Sequence, residues 1–341
     1  MLKMEQDLIE NMNKIRLSIV IPVYRVEKYL RKCLDSLVSQ LNDEVEVLLV
    51  DDGSDDSSPM ICDEYADKYE QIKVVHKENG GLSSAVRAGI DNSCGEYIGF
   101  CDSDDWVADD YIEEIFKVLD NHTVDVICFN FRSVYESDGK TEDCISGAIA
   151  PGLHTGDSCT DLKNSFNRPG GITPTRWTKV VNKSMVDLTM PFYSPDSKIG
   201  EDILFNTPII YQMSSLYYID KTLINYRIND GSMTQHFNKR YINDFNLIFD
   251  VLSPNFENDK KYLGYIHYIN MRTMVNAVGK SDLPHKKKYL SEIFGTKEFK
   301  DRLSWTDAST LSFKDRMFLS LMKKKMCGVL LSVAYFYRKL K

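Results

Sequence analysis

Tyr97-Ile98-Gly99-Phe100-Cys101-Asp102-Ser103-Asp104-Asp105-Trp106 joins a short apolar run to three carboxylates within four residues. The apolar part predicts a buried strand, because a short apolar run that ends in turn residues is typical of strands inside a sheet. Three like charges at a strand end indicate a bound cation, and carboxylate oxygens are the natural ligands of Mg²⁺ or Mn²⁺. The alternative is a solvated acidic turn that caps the next helix.

Three further strand-like runs precede this stretch, with helical patterns between them. Strands are predicted at 17–24, 45–50, 72–75 and 96–101, and helices at 27–40, 58–70 and 82–92. Strands that alternate with helices predict a parallel, doubly wound α/β sheet, whose ligands bind at the carboxyl ends of its strands. Pro22-Val23-Tyr24, Asp51-Asp52 and Gly80-Gly81 fall at these ends, as does Asp102–Asp105. We therefore expect one binding crevice at this edge.

The pattern after Trp106 is less regular. It predicts a helix at 109–120, a strand at 124–131, a hairpin or mobile loop at 133–156, helices at 175–186 and 201–212, and a strand at 215–228. From about residue 237 the pattern is helical to the end. We expect an α/β domain at 16–235 followed by a helical region at 236–341.

Composition narrows the class of protein. The chain has 341 residues, 43% of them apolar, which suffices for a full core. Its net charge of −8 argues against a nucleic-acid partner. The cysteines form no CxxC pair, which predicts reduced core residues of a cytosolic protein; they are Cys33, Cys62, Cys94, Cys101, Cys128, Cys144, Cys159 and Cys327. We see neither a secretion signal nor an apolar run of about 18 residues, so no membrane-spanning helix is expected.

Four motifs carry a resemblance to a known family. They are IVIPVY (19–24), VLLVDDGSDDSS (47–58), ENGGLSSA (78–85) and GEYIGFCDSDDW (95–106). Their order and spacing resemble the family 2 glycosyltransferases of bacterial surface-polysaccharide synthesis, strongly over 16–110 and less so to about 235. The resemblance implies the GT-A fold, a Rossmann-like, mostly parallel sheet with helices on both faces. It also implies transfer of a sugar from a nucleotide-diphosphate donor to a glycan or lipid-linked glycan.

The resemblance implies which residues bind the donor. Asp52 would accept a hydrogen bond from N3–H of uracil, which favours a UDP-sugar, although Asp51 and Asp52 could instead cap the following helix. Asp102 would hold ribose or sugar hydroxyls, and Asp104, which the pattern does not separate from Asp105, would contact Mg²⁺ or Mn²⁺. The implied metal ligands are thus Asp104 and Asp102, and the implied nucleotide-sugar-binding residues are Pro22, Tyr24, Glu27, Asp52, Arg87, Asp102 and Ser103.

Arg87 departs from the family's pattern. The helix after Gly81 usually carries arginine and then asparagine, where this chain has Val86 and then Arg87. One helical position is a rotation of about 100°, so Arg87 is either a phosphate ligand or a surface cation. Arg25 stands where asparagine is usual.

Gly200-Glu201-Asp202 resembles the family's acidic pair at the acceptor side of the site. The resemblance implies that Asp202 is the general base and that Glu201 orients the site; the alternative is an acidic pair that stabilises a helix dipole. Further residues implied on the acceptor and diphosphate side are Trp177, Lys179, Arg227 and His236, although a lone histidine is more often structural.

The C-terminal tail at 314–341 carries eight Lys or Arg and one acid, Asp315, around the mostly apolar Met326–Tyr337. A basic amphipathic segment of this kind could lie on an anionic cytoplasmic leaflet, or it could pack as a helix with a solvated basic face. We expect a cytoplasmic protein, peripheral on the inner face of the membrane.

Two rival functions remain from the sequence. A sugar nucleotidyltransferase shares the α/β layout, but it would carry a glycine-rich phosphate loop after the first strand, and Pro22–Glu27 has no glycine. A non-catalytic nucleotide-sugar-binding or scaffold protein would have the same fold, and the displaced Arg87 leaves this alternative open.

Overall fold

The computed structural model describes residues 15–167, 170–189, 200–229, 240–256 and 258–339. Residues up to Asn229 form one unit and those from Asp230 onward a second. The predicted domain boundary at 235/236 lies outside the described residues and stays a prediction.

The first unit is built on a ten-stranded sheet. Its strands are β1 (Leu17–Val23), β2 (Val45–Asp51), β3 (Ile72–His76), β4 (Tyr97–Phe100), β5 (Trp106–Val107), β6 (Val126–Tyr135), β7 (Thr141–Cys144), β8 (Gly152–Thr155), β9 (Lys179–Asn182) and β10 (Ser215–Ile228). The order is β3-β2-β1-β4-β9-β6-β10-β5, with β7 beside β6 and β8 beside β10. Strands β1 to β4 pair in parallel, as do β6 and β10, whereas β9 is antiparallel to both of its neighbours.

Strands β1 and β2 lie inside the sheet because they are apolar on both faces. Every residue of both strands is buried, as expected for parallel strands covered on two sides. Their carboxyl ends place Pro22 and Asp52 at the same edge of the sheet as Asp102, which follows β4. The predicted α/β fold, with its mostly parallel sheet, is confirmed.

Helices connect these strands. They are α1 (Glu27–Val38), α2 (Ser58–Lys68), α3 (Leu82–Asn92), α4 (Tyr111–Leu119), α5 (Gly156–Ser165), α6 (Lys183–Asp187) and α7 (Glu201–Gln212). The apolar spacing of α1 predicts a buried face of Leu30, Cys33, Leu34, Leu37 and Val38; the first four are buried, and Val38, the last residue of the helix, is half-buried. Helix α7 begins after Gly200, whose φ of 84° is a left-handed conformation that glycine adopts without a steric penalty.

The helix predicted at 175–186 is wrong. This segment contains a 3₁₀ turn (Arg176–Thr178), then β9, and only then α6. The apolar residues Trp177, Val180, Val181 and Met185 have helical spacing, but β9 pairs with β4 and β6, far away in sequence. The hairpin alternative for 133–156 is confirmed, because β7 returns along β6.

The second unit is helical, as predicted. Its helices are α8 (Tyr241–Leu252), α9 (Lys260–Lys280), α10 (Lys286–Ile293), α11 (Lys297–Ser304), α12 (Phe313–Lys323) and α13 (Cys327–Lys339), with 3₁₀ turns at Ser253–Asn255 and Ala308–Thr310. Helix α9 is buried over most of its length and the others pack around it. Within the described ranges, no helix is both long and apolar enough to cross a bilayer.

His267 on α9 makes the second unit sensitive to acid. Its ring lies among Phe249 and Phe299, its Nε2 has no hydrogen-bond partner among the described residues, and burial, with the charge of Arg302, lowers the pKa of His267 to about 3. The unfolded chain therefore binds a proton below about pH 6.5 that the folded unit does not bind until about pH 3, so stability is lost as the pH falls through this window.

We expect this histidine to cost about 2 kcal/mol of stability at pH 5 relative to pH 7, since pH 5 is roughly 1.5 units below the ordinary histidine pKa. His267→Phe should remove that part of the pH dependence. Hydrogen exchange of residues 260–280 at pH 5 and pH 7 measures it, after correction for intrinsic exchange. Equal pH dependence in the variant and the wild type would contradict the prediction.

Candidate active site

A cluster of carboxylates lies where β4 ends and α7 begins. Asp102 follows β4, and Glu201 and Asp202 open α7. Arg176 lies among them, because β9 runs antiparallel beside β4 and brings the preceding 3₁₀ turn to the end of β4. Burial lowers the pKa of the Arg176 guanidinium, but the charges of Asp202, Asp102 and Glu201 outweigh it and raise the pKa above its ordinary value.

Arg176 is enclosed and its closest counter-ion is Asp202. Only 3% of the residue is exposed, and Nη1 lies 2.8 Å from Asp202 Oδ1. The contact is an ion pair without hydrogen-bond alignment, since Asp202 Oδ1 and Arg176 Nε have no hydrogen-bond partner among the described residues. The guanidinium lies 5.6 Å and 5.8 Å from the ring centres of Phe100 and Phe205. Such an enclosed cation fixes where Asp202 sits.

The ionised forms of Asp102 and Asp104 are electrostatically unfavourable in this site. Burial, together with the carboxylates of Asp202, Asp104 and Glu201, raises the pKa of Asp102 to about 7, although Arg176 opposes this rise. Burial also raises the pKa of Asp104. A cation between these side chains would stabilise their ionised forms.

The structure distinguishes Asp104 from Asp105, which the sequence could not. Asp105 is 1% exposed, and its Oδ1 accepts a hydrogen bond of 2.7 Å from the backbone N–H of Arg227. Asp104 is half-buried, and its carbonyl accepts a bond of 2.8 Å from Arg227 Nε. Arg227 reaches this turn because β10 pairs with β5. Asp104 is therefore the more accessible carboxylate of the two.

Asp52 holds the Gly80-Gly81 turn. Its Oδ1 accepts a bond of 2.9 Å from Gly80 N–H and one of 2.6 Å from Lys77 Nζ, and its Oδ2 accepts a bond of 2.7 Å from Gly81 N–H. Three of its four lone-pair directions are thus occupied. Asp51 instead accepts from Ser54 N–H, at 3.0 Å. The proposed contact of Asp52 with uracil would use the remaining direction or take the place of Lys77.

The other predicted donor-side residues surround the end of β1 or follow β4. Pro22 is buried in β1, Tyr24 is 44% exposed, and Glu27 Oε2 accepts a bond of 2.8 Å from Ser57 N–H. Ser103 is 9% exposed. Arg87 Nε contacts Asp91 at 2.8 Å, one turn along α3, with 37% of its side chain exposed. The phosphate role of Arg87 stays a prediction, and its observed contact is the one expected of a surface cation.

Trp177 and Lys179 are interior residues. Trp177 is 6% exposed and stacks on Tyr226 with a ring-centre distance of 5.2 Å. Lys179 is fully buried, its Nζ donates to the carbonyls of Thr173 and Thr175 at 2.7 and 2.6 Å, and burial lowers its pKa to about 8. Both could shape an acceptor site through packing, but neither offers much surface for direct contact. His236 lies outside the described residues.

Sequence reasoning missed two charged residues of the site, Arg176 and Lys77. Lys77 follows β3 directly, so the rule that ligand-binding residues lie at strand ends would have selected it. Arg176 lies inside the segment that was predicted as a helix. Its closeness to Asp202 depends on the fold and is not visible in the local sequence pattern.

The carboxylates can bind a divalent cation only if the substrate or water completes its coordination shell. Among the described residues, no three His, Cys, Asp or Glu side chains are arranged to hold a metal by themselves. Mg²⁺ is commonly bound by one or two carboxylates together with substrate phosphates and water. Asp104 and Asp102 meet that requirement.

The sheet order and the helices around it give the GT-A fold. TarS from S. aureus (residues 1–349), solved with UDP-GlcNAc, has a similar structure, with a TM-score of 0.69 and 20% identity over 96% of this chain and 93% of that one. This likeness establishes the fold.

Residues 18–177 match the family described as Glycosyl transferase family 2. EpsH of Bacillus subtilis (strain 168) is 28% identical over 335 residues, which cover 94% of this chain and 95% of the relative. The minor teichoic acid biosynthesis protein GgaB of the same organism is 26% identical over 282 residues, which cover 78% of this chain but only 30% of GgaB. These matches bear out the predicted resemblance to the family 2 glycosyltransferases, with the family's domain at residues 18–177, and they support a transferase enzyme.

Proposed function

We propose that this enzyme transfers a sugar from a UDP-sugar to a glycan or lipid-linked glycan of a bacterial surface polysaccharide, with inversion at the anomeric carbon. The observation that carries the proposal is that Asp102 lies near both Asp104 and Asp202, with Asp52 at the same sheet edge. The likeness to TarS, solved with UDP-GlcNAc, supports the donor class. The likeness to GgaB, named for teichoic acid biosynthesis, supports a surface-glycan acceptor.

Each of these residues has its own role in the proposed reaction. Asp52 binds N3–H of uracil, and Pro22, Tyr24 and Glu27 line the base and ribose. Asp202 accepts the proton of the acceptor hydroxyl while that oxygen attacks the anomeric carbon from the side opposite the diphosphate. One displacement forms the new glycosidic bond and breaks the bond to the diphosphate, so the configuration inverts. Glu201 orients the acceptor side.

Arg176 keeps Asp202 in place for this step. Its buried guanidinium compensates the charges of three neighbouring, half-buried carboxylates. Arg227 supplies positive charge beside Asp104, where the diphosphate would lie. His236 is proposed on the same side.

Mg²⁺ or Mn²⁺ held by Asp104 and Asp102 would neutralise the diphosphate as it leaves. The raised pKa values of both carboxyls support this assignment, since a cation would remove the electrostatic penalty that their ionised forms carry.

The acceptor class places the enzyme at the cytoplasmic face of the cell membrane. Lipid-linked glycans are presented there, and the basic C-terminal tail at 314–341 is the proposed contact with the anionic lipids.

A donor panel tests the proposal. Purified protein is mixed with UDP-, GDP- and dTDP-sugars in Mn²⁺, Mg²⁺ or EDTA, and donor hydrolysis and thermal stabilisation are measured. We expect a response to a UDP-sugar that EDTA abolishes, that Asp104→Asn loses and that the matched variant Asp109→Asn retains. A response confined to GDP- or dTDP-sugars would contradict the uracil assignment, and one that survives EDTA would contradict the metal. A folded protein that responds to no donor would favour the scaffold alternative.

A further inference from the structure

We propose that the exposed face of α12, rather than the apolar run in α13, is the surface that docks on an anionic lipid bilayer. The inference rests on the proposed function for its biological setting, and it identifies the contacting side chains. We call this surface the α12 outer face; it consists of Phe313, Lys314, Arg316, Met317, Ser320, Lys323 and Lys324.

The two sides of α12 differ sharply. Asp315, Phe318, Leu319 and Met322 are buried against the rest of the unit. At about 100° per residue, Phe313, Met317, Ser320 and Lys324 form a line along the opposite side. Every residue of the α12 outer face is exposed. The buried side accounts for the packing of the helix, whereas the apolar side chains of Phe313 and Met317 lie on its exposed side.

Phe313 and Met317 supply apolar anchors. Phe313 is 77% exposed and Met317 is 37% exposed. They are four residues apart on one helix, so they are neighbours on its surface. Single exposed apolar residues are ordinary. An adjacent pair at the centre of a basic face is instead the composition of helices that lie in a membrane interface.

The charge on this face has one sign. Arg316, Lys323 and Lys324 are exposed, and Asp315 is the only acid within 313–325. Asp315 is turned inward: its Oδ1 accepts bonds from Tyr268 (2.7 Å) and Arg272 (2.6 Å), and its Oδ2 accepts one from Ser312 (2.6 Å). Its charge is therefore compensated inside the unit. A surface of cations around apolar anchors is complementary to acidic headgroups over acyl chains.

The apolar run in α13, considered for this role from the sequence, is partly structural. Cys327 and Leu330 are 2% and 0% exposed, and α13 packs against α9, α10 and α12. An acidic polymer would be attracted by the same cations, but it would gain little from Phe313 and Met317. The apolar pair therefore favours a bilayer.

Vesicle co-sedimentation of the full chain tests the proposal. The vesicles are phosphatidylcholine alone or phosphatidylcholine mixed with phosphatidylglycerol. The apolar variant is Phe313→Ser/Met317→Ser, with Met60→Ser as its exposed control; the charge variant is Arg316→Gln/Lys323→Gln/Lys324→Gln, with Lys68→Gln/Lys117→Gln/Lys140→Gln as control. We expect binding to the anionic vesicles only. The charge variant should bind roughly a hundredfold more weakly, at about fivefold per cation, and the apolar variant about tenfold more weakly.

Several results would overturn the inference. They are equal binding to both vesicle types, no binding by the wild type, a loss no larger than that of the controls, or a loss in the charge variant alone, which would indicate an acidic polymer. Donor hydrolysis is measured in parallel without vesicles, and the α12 variants should leave it unchanged. Vesicle binding without donor hydrolysis would refute the proposed reaction but not the docking surface, and the reverse result would do the opposite.

Discussion

Asp202→Asn is expected to lower the rate of sugar transfer by about 10²–10⁴-fold, the usual contribution of a general base. The amide has nearly the shape of the carboxylate but cannot take up the acceptor proton. Donor affinity should change little, because Asp202 contacts Arg176 rather than the proposed uracil or diphosphate positions. Transfer assays with a saturating donor, together with calorimetric titration of the donor, separate the two effects.

A matched control is Asp187→Asn, an exposed acid at the end of α6, which should leave transfer within about twofold. If Asp202→Asn retained most of the wild-type rate, another group would have to be the base. If the wild type bound the donor without turnover and Asp202→Asn bound it equally, the chain would be a binding protein with a glycosyltransferase fold.

The first half of the fold was predictable because its signals are local. Strands β1, β2 and β4 are short apolar runs, and each ends in the polar residues that form the proposed donor site. Parallel strands bring those ends together regardless of loop detail. The sequence therefore predicted that Asp52 and Asp102 lie at one edge.

The other half of the site depends on contacts between residues far apart in sequence. Strand β9 has only four residues, and its pairing with β4 spans about eighty residues, so the helical spacing of Trp177, Val180 and Val181 was misleading. The same pairing buries Lys179 and brings Arg176 to Asp102. Likewise, Asp52 was a plausible helix cap by local pattern, whereas its observed partners are the distant N–H groups of the Gly80-Gly81 turn.

Arg176→Met is expected to destabilise the first unit by about 3 kcal/mol, the low end of the range for a broken buried pair, because it leaves three half-buried carboxylates without their counter-charge. The Arg176 side chain is 4% exposed and compensates three acids, so water compensates for its loss less fully than at a surface. Denaturant unfolding measures the cost. Arg132→Met is the control, since Arg132 pairs with Asp143 where the two side chains are 42% and 39% exposed; it should cost about 1 kcal/mol or less.

A double-mutant cycle separates the charge of Arg176 from its volume. In an Asp202→Asn background, Arg176→Met should cost less than in the wild type by about 0.5–3 kcal/mol, the range for groups in contact. An unchanged cost would mean that the charge of Asp202 plays no part, and that Arg176 serves only Asp102 and Glu201 or fills the space beside Phe100 and Phe205. Arg176→Lys provides the functional readout: it keeps the charge, so it should fold and bind donor. It should nevertheless transfer sugar more slowly, because the lysine chain is shorter and would not place its charge where Arg176 Nη1 lies, 2.8 Å from Asp202 Oδ1. Wild-type turnover in that variant would show that any buried cation suffices, and that Arg176 does not set the position of the base.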